Sequence, residues 1–248
     1  MSIQHRYLLH TNGPALWPDH KPLAEVLELR DTTPETVWEA TYQGHPTPPG
    51  GVVFRREWWR QPDSRFSERA AAVGRFISWD TGLKDKLTNA FSVGIVGELL
   101  PDYRLAIVEV RRARLTFPDL PEAIRSQAAR WNEDGLLRQV IIEDKASGTS
   151  AYQTLTASAS DPWLAPLLFP FEPSGDKTQR AQQAAVWCKN GCVLLPQPSA
   201  ATPWLLDFED ELFTFPGSTW MDQVDALSQL ILFLELILAE GYRARQGR

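Results

Sequence analysis

Between Arg75 and Asp144 the sequence carries four β-rich apolar runs: "RFISWDT", "NAFSVGIVGELL", "YRLAIVEVRRARL" and "LRQVIIED". The second and third flank a "PD" turn and read as a hairpin. Before the fourth lies "FPDLPEAIRSQAARWNEDG", a helix with prolines at its start and Gly135 at its end. The fourth run is apolar enough to be central in a sheet. Downstream, "SGTSAYQTLTASAS" reads as a helix, "APLLFPFEP" as a strand, "DKTQRAQQAAVWCKNG" as a helix and "CVLLP" as a strand, before closing helices. That order of elements implies an α/β fold, a mixed β-sheet flanked by helices.

Residues 1–72 read differently. They hold all four histidines, the run "GHPTPPGGVVF" and the polar stretch "QPDSRFSERAA". One helix near Pro34–Gln43 and a turn-rich linker are expected there. The chain therefore divides into a partial segment, 1–72, and a domain, 73–248.

The final helix begins near Trp220, within "STWMDQVDALSQLILFLELILAEGYRAR". Val224, Leu227, Leu230, Ile231, Leu234 and Leu238 form its apolar face at helical spacing. Asp222 and Asp225 sit in its first turns, three residues apart. That spacing puts two carboxylates on one side, about 5–6 Å apart at Cβ. Like charges held so close cost free energy unless something neutralises them.

Other carboxylates fall at strand ends. Asp80 ends the first strand, and Glu143 and Asp144 end the fourth. Sites in open α/β sheets gather beyond the carboxyl ends of parallel strands. If strands one and four are parallel neighbours, Asp80 and Glu143 meet there, and the closing helix can deliver Asp222 and Asp225. Carboxylates are the donors that Mg²⁺ and Mn²⁺ prefer, and two such ions can drive phosphodiester hydrolysis. Each residue also has a plainer reading. Asp80 alone is a turn residue. Asp222 is a helix cap, in competition with Thr219 or Ser218. Glu143 or Asp144 forms a solvated pair with Lys145.

Several classes are excluded. No window reaches 18 uncharged apolar residues, so no membrane span is expected. The start, "MSIQHRYLLH", is not a signal peptide. Cys188 and Cys192 make no disulfide framework and read as buried small apolar residues. No histidine follows residue 72, so a Ser–His–Asp triad is excluded there. The net charge of −6 speaks against a nucleic-acid binder unless the acidic groups hold metal, whose charge reverses the local sign. The scattered Trp58, Trp59, Trp131, Trp163, Trp187 and Trp204 read as packing residues.

"FISWDTGLKDKLTNAFSVG", "VIIEDKASG", "GDKTQRA" with the following "GCVLLP", and "MDQVDALSQ" resemble, in order, the motifs of the phage terminase large subunit nuclease domain. The resemblance covers about residues 73–235. The upstream "PETVWEATYQGHPTPPGGVVFRREWW" resembles the end of the ATPase domain and the linker of the same proteins.

The resemblance implies a ribonuclease H-like fold. It implies a two-metal endonuclease, using Mg²⁺ or Mn²⁺, that cuts concatemeric double-stranded viral DNA during packaging. By position, Asp80 and Glu143 are metal ligands from central strands and Asp222 the ligand from the last helix, with Asp225 beside it on the same face as a further metal ligand; these four and Lys145 form the implied catalytic set. Glu143 is favoured over Asp144. Lys145 and Lys177 would lie near the scissile phosphate, and Arg180 would hold a backbone phosphate. Arg111 and Arg112, at the hairpin's end, are either a phosphate-contacting edge or the charged protection of an edge strand. Lys84 and Lys86 face DNA or are simply solvated.

Implied partners are double-stranded DNA, the small terminase subunit, the portal and an ATPase motor, in the cytoplasm of an infected or lysogenic bacterium. The module itself is expected to be a monomer. Family members often carry Asp where Ala90 and Met221 stand here. There is no G-x-x-x-x-G-K-[ST], and "SGDKT" only approximates one. An excised piece, a split gene product and a prophage remnant all fit, with Met1 favouring a separate gene. The rival readings are a non-catalytic packaging module of the same fold and a dimeric junction resolvase.

Overall fold

The computed structural model describes residues 15, 18–32, 53–59, 64–67, 69–82, 91–144 and 147–246. The chain divides into two compact units, Met1–Val52 and Val53–Arg248. Helix α1 (Leu23–Thr32) belongs to the first and buries Val26. It has no counterpart among the expected elements, because its apolar residues are spread around the axis. The helix expected near Pro34–Gln43 lies outside the described residues.

The second unit opens with two short helical turns, Arg56–Trp59 and Ser64–Ser67. Phe54, just before them, is fully buried against Phe215, with ring centroids 6.4 Å apart. The sheet then forms from β1 (Gly74–Thr81), β2 (Ser92–Leu99), β3 (Leu105–Ala113), β4 (Leu137–Glu143), β5 (Leu168–Phe171) and β6 (Val193–Leu194), in the spatial order β5-β4-β1-β2-β3-β6. β1, β2 and β3 run antiparallel in sequence, as the hairpin reading requires. β4 pairs parallel with β1 and β5, and β6 parallel with β3. The expected neighbourhood of the first and fourth strands is therefore present, in a mixed sheet.

Helices α2 (Asp119–Arg130) and α3 (Ser147–Thr156) cover one face. Helices α4 (Lys177–Lys189), α5 (Leu205–Thr214) and α6 (Asp222–Gln246) cover the other. All eight residues of β1 are buried, as befits a strand with neighbours on both sides and helices on both faces. Its side chains alternate. Phe76 joins Leu227, Leu230 and Leu234 of α6, whereas Ile77 and Trp79 join Leu120 and Ile124 of α2. Gly94 makes room for this packing, since a Cβ there would stand 2.5 Å from the Trp79 ring.

Two polar devices fix the frame. Arg75, 6 % exposed, donates to Glu98 on β2 and to Asp134 and the Trp131 carbonyl after α2. The Glu211 carboxylate of α5 accepts from the backbone N–H groups of Gln223 and Val224, capping α6 from a neighbouring helix. Burial pushes the Glu211 carboxyl above its ordinary range, against those hydrogen bonds.

The tryptophans expected to pack do so. Trp58, Trp59, Trp187 and Trp204 lie against the α6-side core, and Trp131 and Trp163 against the other. Cys188 is buried as expected, but Cys192 is only partly so, in the turn before β6. Among the described residues no helix is long and apolar enough to cross a membrane.

Candidate active site

The pleat of β1 decides where Asp80 points. Ser78 and Asp80 share a face with Phe76, toward α6. The period of α6 supplies what they meet. Asp222, Asp225 and Gln229 follow one another at three- and four-residue spacing, so they form one polar stripe beside the helix's apolar face. Gln229 donates to the Ser78 hydroxyl at 3.0 Å and to the Trp79 carbonyl at 3.2 Å. That contact pins α6 against β1 and leaves the two aspartates level with Asp80.

Glu143 arrives from β4. The parallel ladder ends with the pair Trp79↔Ile142, so Asp80 and Glu143 are the next step, on one face. Glu143 lies close enough to add to the electrostatic load on Asp80. Asp144 alternates away, is exposed and accepts from the Thr149 hydroxyl at 2.7 Å. Gly148 permits this corner, because a Cβ there would lie 1.8 Å from the Glu143 carbonyl oxygen. The sequence carries that signal only as the glycine of "EDKASG".

Two basic side chains of α4 meet the carboxylates. Gly175, at φ +73°, turns the chain into the helix, and Asp176 caps it in a reciprocal box with Gln179. Lys177 is the first helical residue. Its ammonium stands 3.1 Å from Asp225 Oδ2, 3.3 Å from Asp222 Oδ1 and 3.6 Å from Asp80 Oδ2. One turn later Arg180, 2 % exposed, grips Asp225, with Nε donating to Oδ1 at 2.9 Å and Nη2 to Oδ2 at 2.7 Å. Nη1 donates to the Gly175 carbonyl.

The electrostatics follow from burial. Asp80 is 4 % exposed, and desolvation, the largest influence, pushes its carboxyl well above the usual carboxylate range. Lys177 opposes this, while Asp225, Glu143 and Asp222 add to it. Burial also works against the charge on Lys177, but Asp80, Asp225 and Asp222 outweigh it and hold the ammonium above its ordinary range.

The donor set fits a hard divalent cation. It is all carboxylate oxygen, and Asp80 Oδ2 is buried with no hydrogen-bond partner. Among the described residues no three His, Cys, Asp or Glu are gathered closely enough to hold a metal ion as they stand. The carboxylates are spaced around an ammonium instead.

The basic residues expected at DNA sort differently from their sequence grouping. Arg180 faces inward, onto Asp225. Arg111 reaches across to α2, donating to the Ala123 carbonyl and the Ser126 hydroxyl. Arg112 points to the opposite face, stacked 4.0 Å over Phe91 and 6.0 Å from Trp220. Arg114 joins it over Phe91 at 4.5 Å. Lys145, Lys84, Lys86 and Ala90 lie outside the described residues. Met221 packs partly buried against the core just before Asp222.

Residues 77–233 match the Terminase RNaseH-like domain family model. The chain belongs to that family. By family this is a terminase RNaseH-like domain, and Asp80, Glu143, Lys177 and Asp222 each lie within one of the motifs that suggested it. The human cytomegalovirus terminase nuclease domain superposes with a TM-score of 0.53 at 11 % identity, over 73 % of this chain and 94 % of that one. The large terminase nuclease of thermophilic phage G20c with bound cobalt gives 0.46 at 18 % identity, over 64 % and 80 %. The yeast mitochondrial Holliday junction resolvase Ydc2 gives 0.43 at 10 % identity, over 74 % and 91 %. No curated protein matches the terminase domain significantly.

Proposed function

We propose that the chain is a divalent-metal-dependent endodeoxyribonuclease, the cutting module of a viral genome-packaging terminase. The observation that carries this reading is the convergence of Asp80, Asp222 and Asp225 around one centre, with Asp80 Oδ2 buried and without a hydrogen bond. One ammonium faces three carboxylates there, so the cluster keeps an excess of negative charge that a divalent cation would balance.

Asp80, Glu143 and Asp222 would hold the metal. Asp225, with both oxygens on Arg180, would complete the charge and fix the helix. Two Mg²⁺ or Mn²⁺ ions, when bound, would supply an activated water and neutralise the leaving oxygen. Lys177 would reach the phosphate flanking the scissile bond, and Lys145 would serve beside it. Arg112 and Arg114, stacked over Phe91, would offer guanidinium N–H groups to DNA phosphates.

Double-stranded concatemeric DNA is the proposed substrate. The ATPase motor, small subunit and portal are the proposed partners, in the cytoplasm of the bacterial host. Residues 1–72 are proposed as the end of the motor segment and its linker, and the module as a monomer.

The test is nicking of supercoiled plasmid with Mg²⁺, Mn²⁺ or chelator, by wild type and by Asp80→Asn and Asp222→Asn. Metal-dependent nicking lost in both variants, with circular dichroism unchanged, is the expected result. No cutting by wild type, or equal cutting by all three, would remove the catalytic reading and leave a packaging module of the same fold.

A further inference from the structure

The two cations of α4 are held in opposite ways. Arg180 makes a two-pronged grip on Asp225 with a third anchor on Gly175, and its side chain is 3 % exposed. The Lys177 side chain is 41 % exposed and touches its three carboxylates one oxygen at a time, the contact with Asp80 at 3.6 Å lying beyond a hydrogen bond. Lys177 sits at a helix start whose backbone is fixed by the capping box, so its flexible stem can swing without disturbing the helix. Its ammonium occupies the centre toward which the carboxylates of β1 and α6 converge.

We propose that Lys177 is the resting counter-ion of the carboxylate cluster and competes with divalent metal for it. This rests on the nuclease reading above. In the resting state the ammonium neutralises Asp80, Asp222 and Asp225. Metal oxygen distances are about 2.0–2.1 Å for Mg²⁺, shorter than the distances around the ammonium, so the two cations cannot share the centre. Loading therefore requires Lys177 to leave, and the displaced side chain is freed toward solvent, where DNA lies. Arg180 stays and keeps Asp225 in place. If the ammonium occupies the centre about nine-tenths of the time, the apparent metal affinity is reduced about tenfold.

The experiment uses the full chain. Mn²⁺ is titrated calorimetrically into wild type, Lys177→Gln and Lys177→Met, the second variant guarding against one that folds poorly. Thermal midpoints are measured in chelator and in saturating Mn²⁺. The expected result is Mn²⁺ binding about tenfold tighter in the variants, with a lowered midpoint in chelator and a wild-type midpoint at saturation. Equal or weaker affinity, with the same loss of midpoint in both conditions, would overturn the competition and leave the nuclease reading standing. No Mn²⁺ binding by any protein would overturn both.

Discussion

Arg180 and Asp225 tie α4 to α6 through a buried, two-pronged ion pair, at 2.9 Å and 2.7 Å, although 45 residues separate them in sequence. Both are nearly inaccessible to solvent. Truncating the arginine strands a buried carboxylate beside Asp80, so Arg180→Met is expected to lose about 3–5 kcal/mol. Urea unfolding measures it. A loss below about 1 kcal/mol, the range of an exposed pair, would show that the grip is not what holds the helices together.

Asp80 gives a pH signature in chelator. Its carboxyl is raised by burial and by its acidic neighbours, so the folded state binds the proton more tightly than the unfolded chain. The folded state is thus favoured below the ordinary carboxylate value of about 3.9 and loses that advantage as pH rises toward the raised value. Asp80→Asn is expected to have the higher thermal midpoint at neutral pH, and the gap should close on acidification. A constant gap from pH 4 to 8 would assign it to something other than this ionisation.

Glu143 and Asp144 are adjacent, yet the pleat sends them to opposite faces. Glu143→Gln is expected to reduce metal-dependent plasmid nicking to the chelator background. Asp144→Asn, which removes the charge but keeps an oxygen to accept from the Thr149 hydroxyl, should cut at the wild-type rate. The reverse pattern would move the ligand to Asp144.

Gly148 lies where the first turn of α3 touches the end of β4. Gly148→Ala places a methyl into the Glu143 carbonyl, and the backbone on one side must shift. The expected cost is at least about 1–3 kcal/mol, the range of overpacked cores, read from urea unfolding. Mn²⁺ affinity should weaken with it, because the displaced strand end carries Glu143. A variant as stable as wild type would show that the corner is looser than its packing.

Much of this was legible in the residues. The β-runs, the hairpin and the helix from Asp119 follow from alternation and turn chemistry, whereas the parallel pairing of the first and fourth strands was only a condition the residues left open. Other elements were not. Helix α5 escaped separation because "LLDFEDELFT" follows a proline- and serine-rich stretch and runs straight on into the "PGST" turn. Its Glu211 caps α6 from twelve residues upstream, so the nearby Thr219, Ser218 and Asp222 are not needed for that role. Arg111 and Arg112 look like one basic edge, but consecutive residues of a strand cannot share a face.

The sequence by itself determined which residues could share a surface. Period two set Ser78 and Asp80 on one side of β1, and the helical period set Asp222, Asp225 and Gln229 on one stripe, because both are local backbone geometry. Only the tertiary structure decided what those surfaces met. Lys177 and Arg180 are both cations on one helix, three residues apart. The depth at which α4 packs against α6 makes one a buried anchor and leaves the other half-exposed among three carboxylates. That depth comes from contacts between distant segments, which no local pattern records.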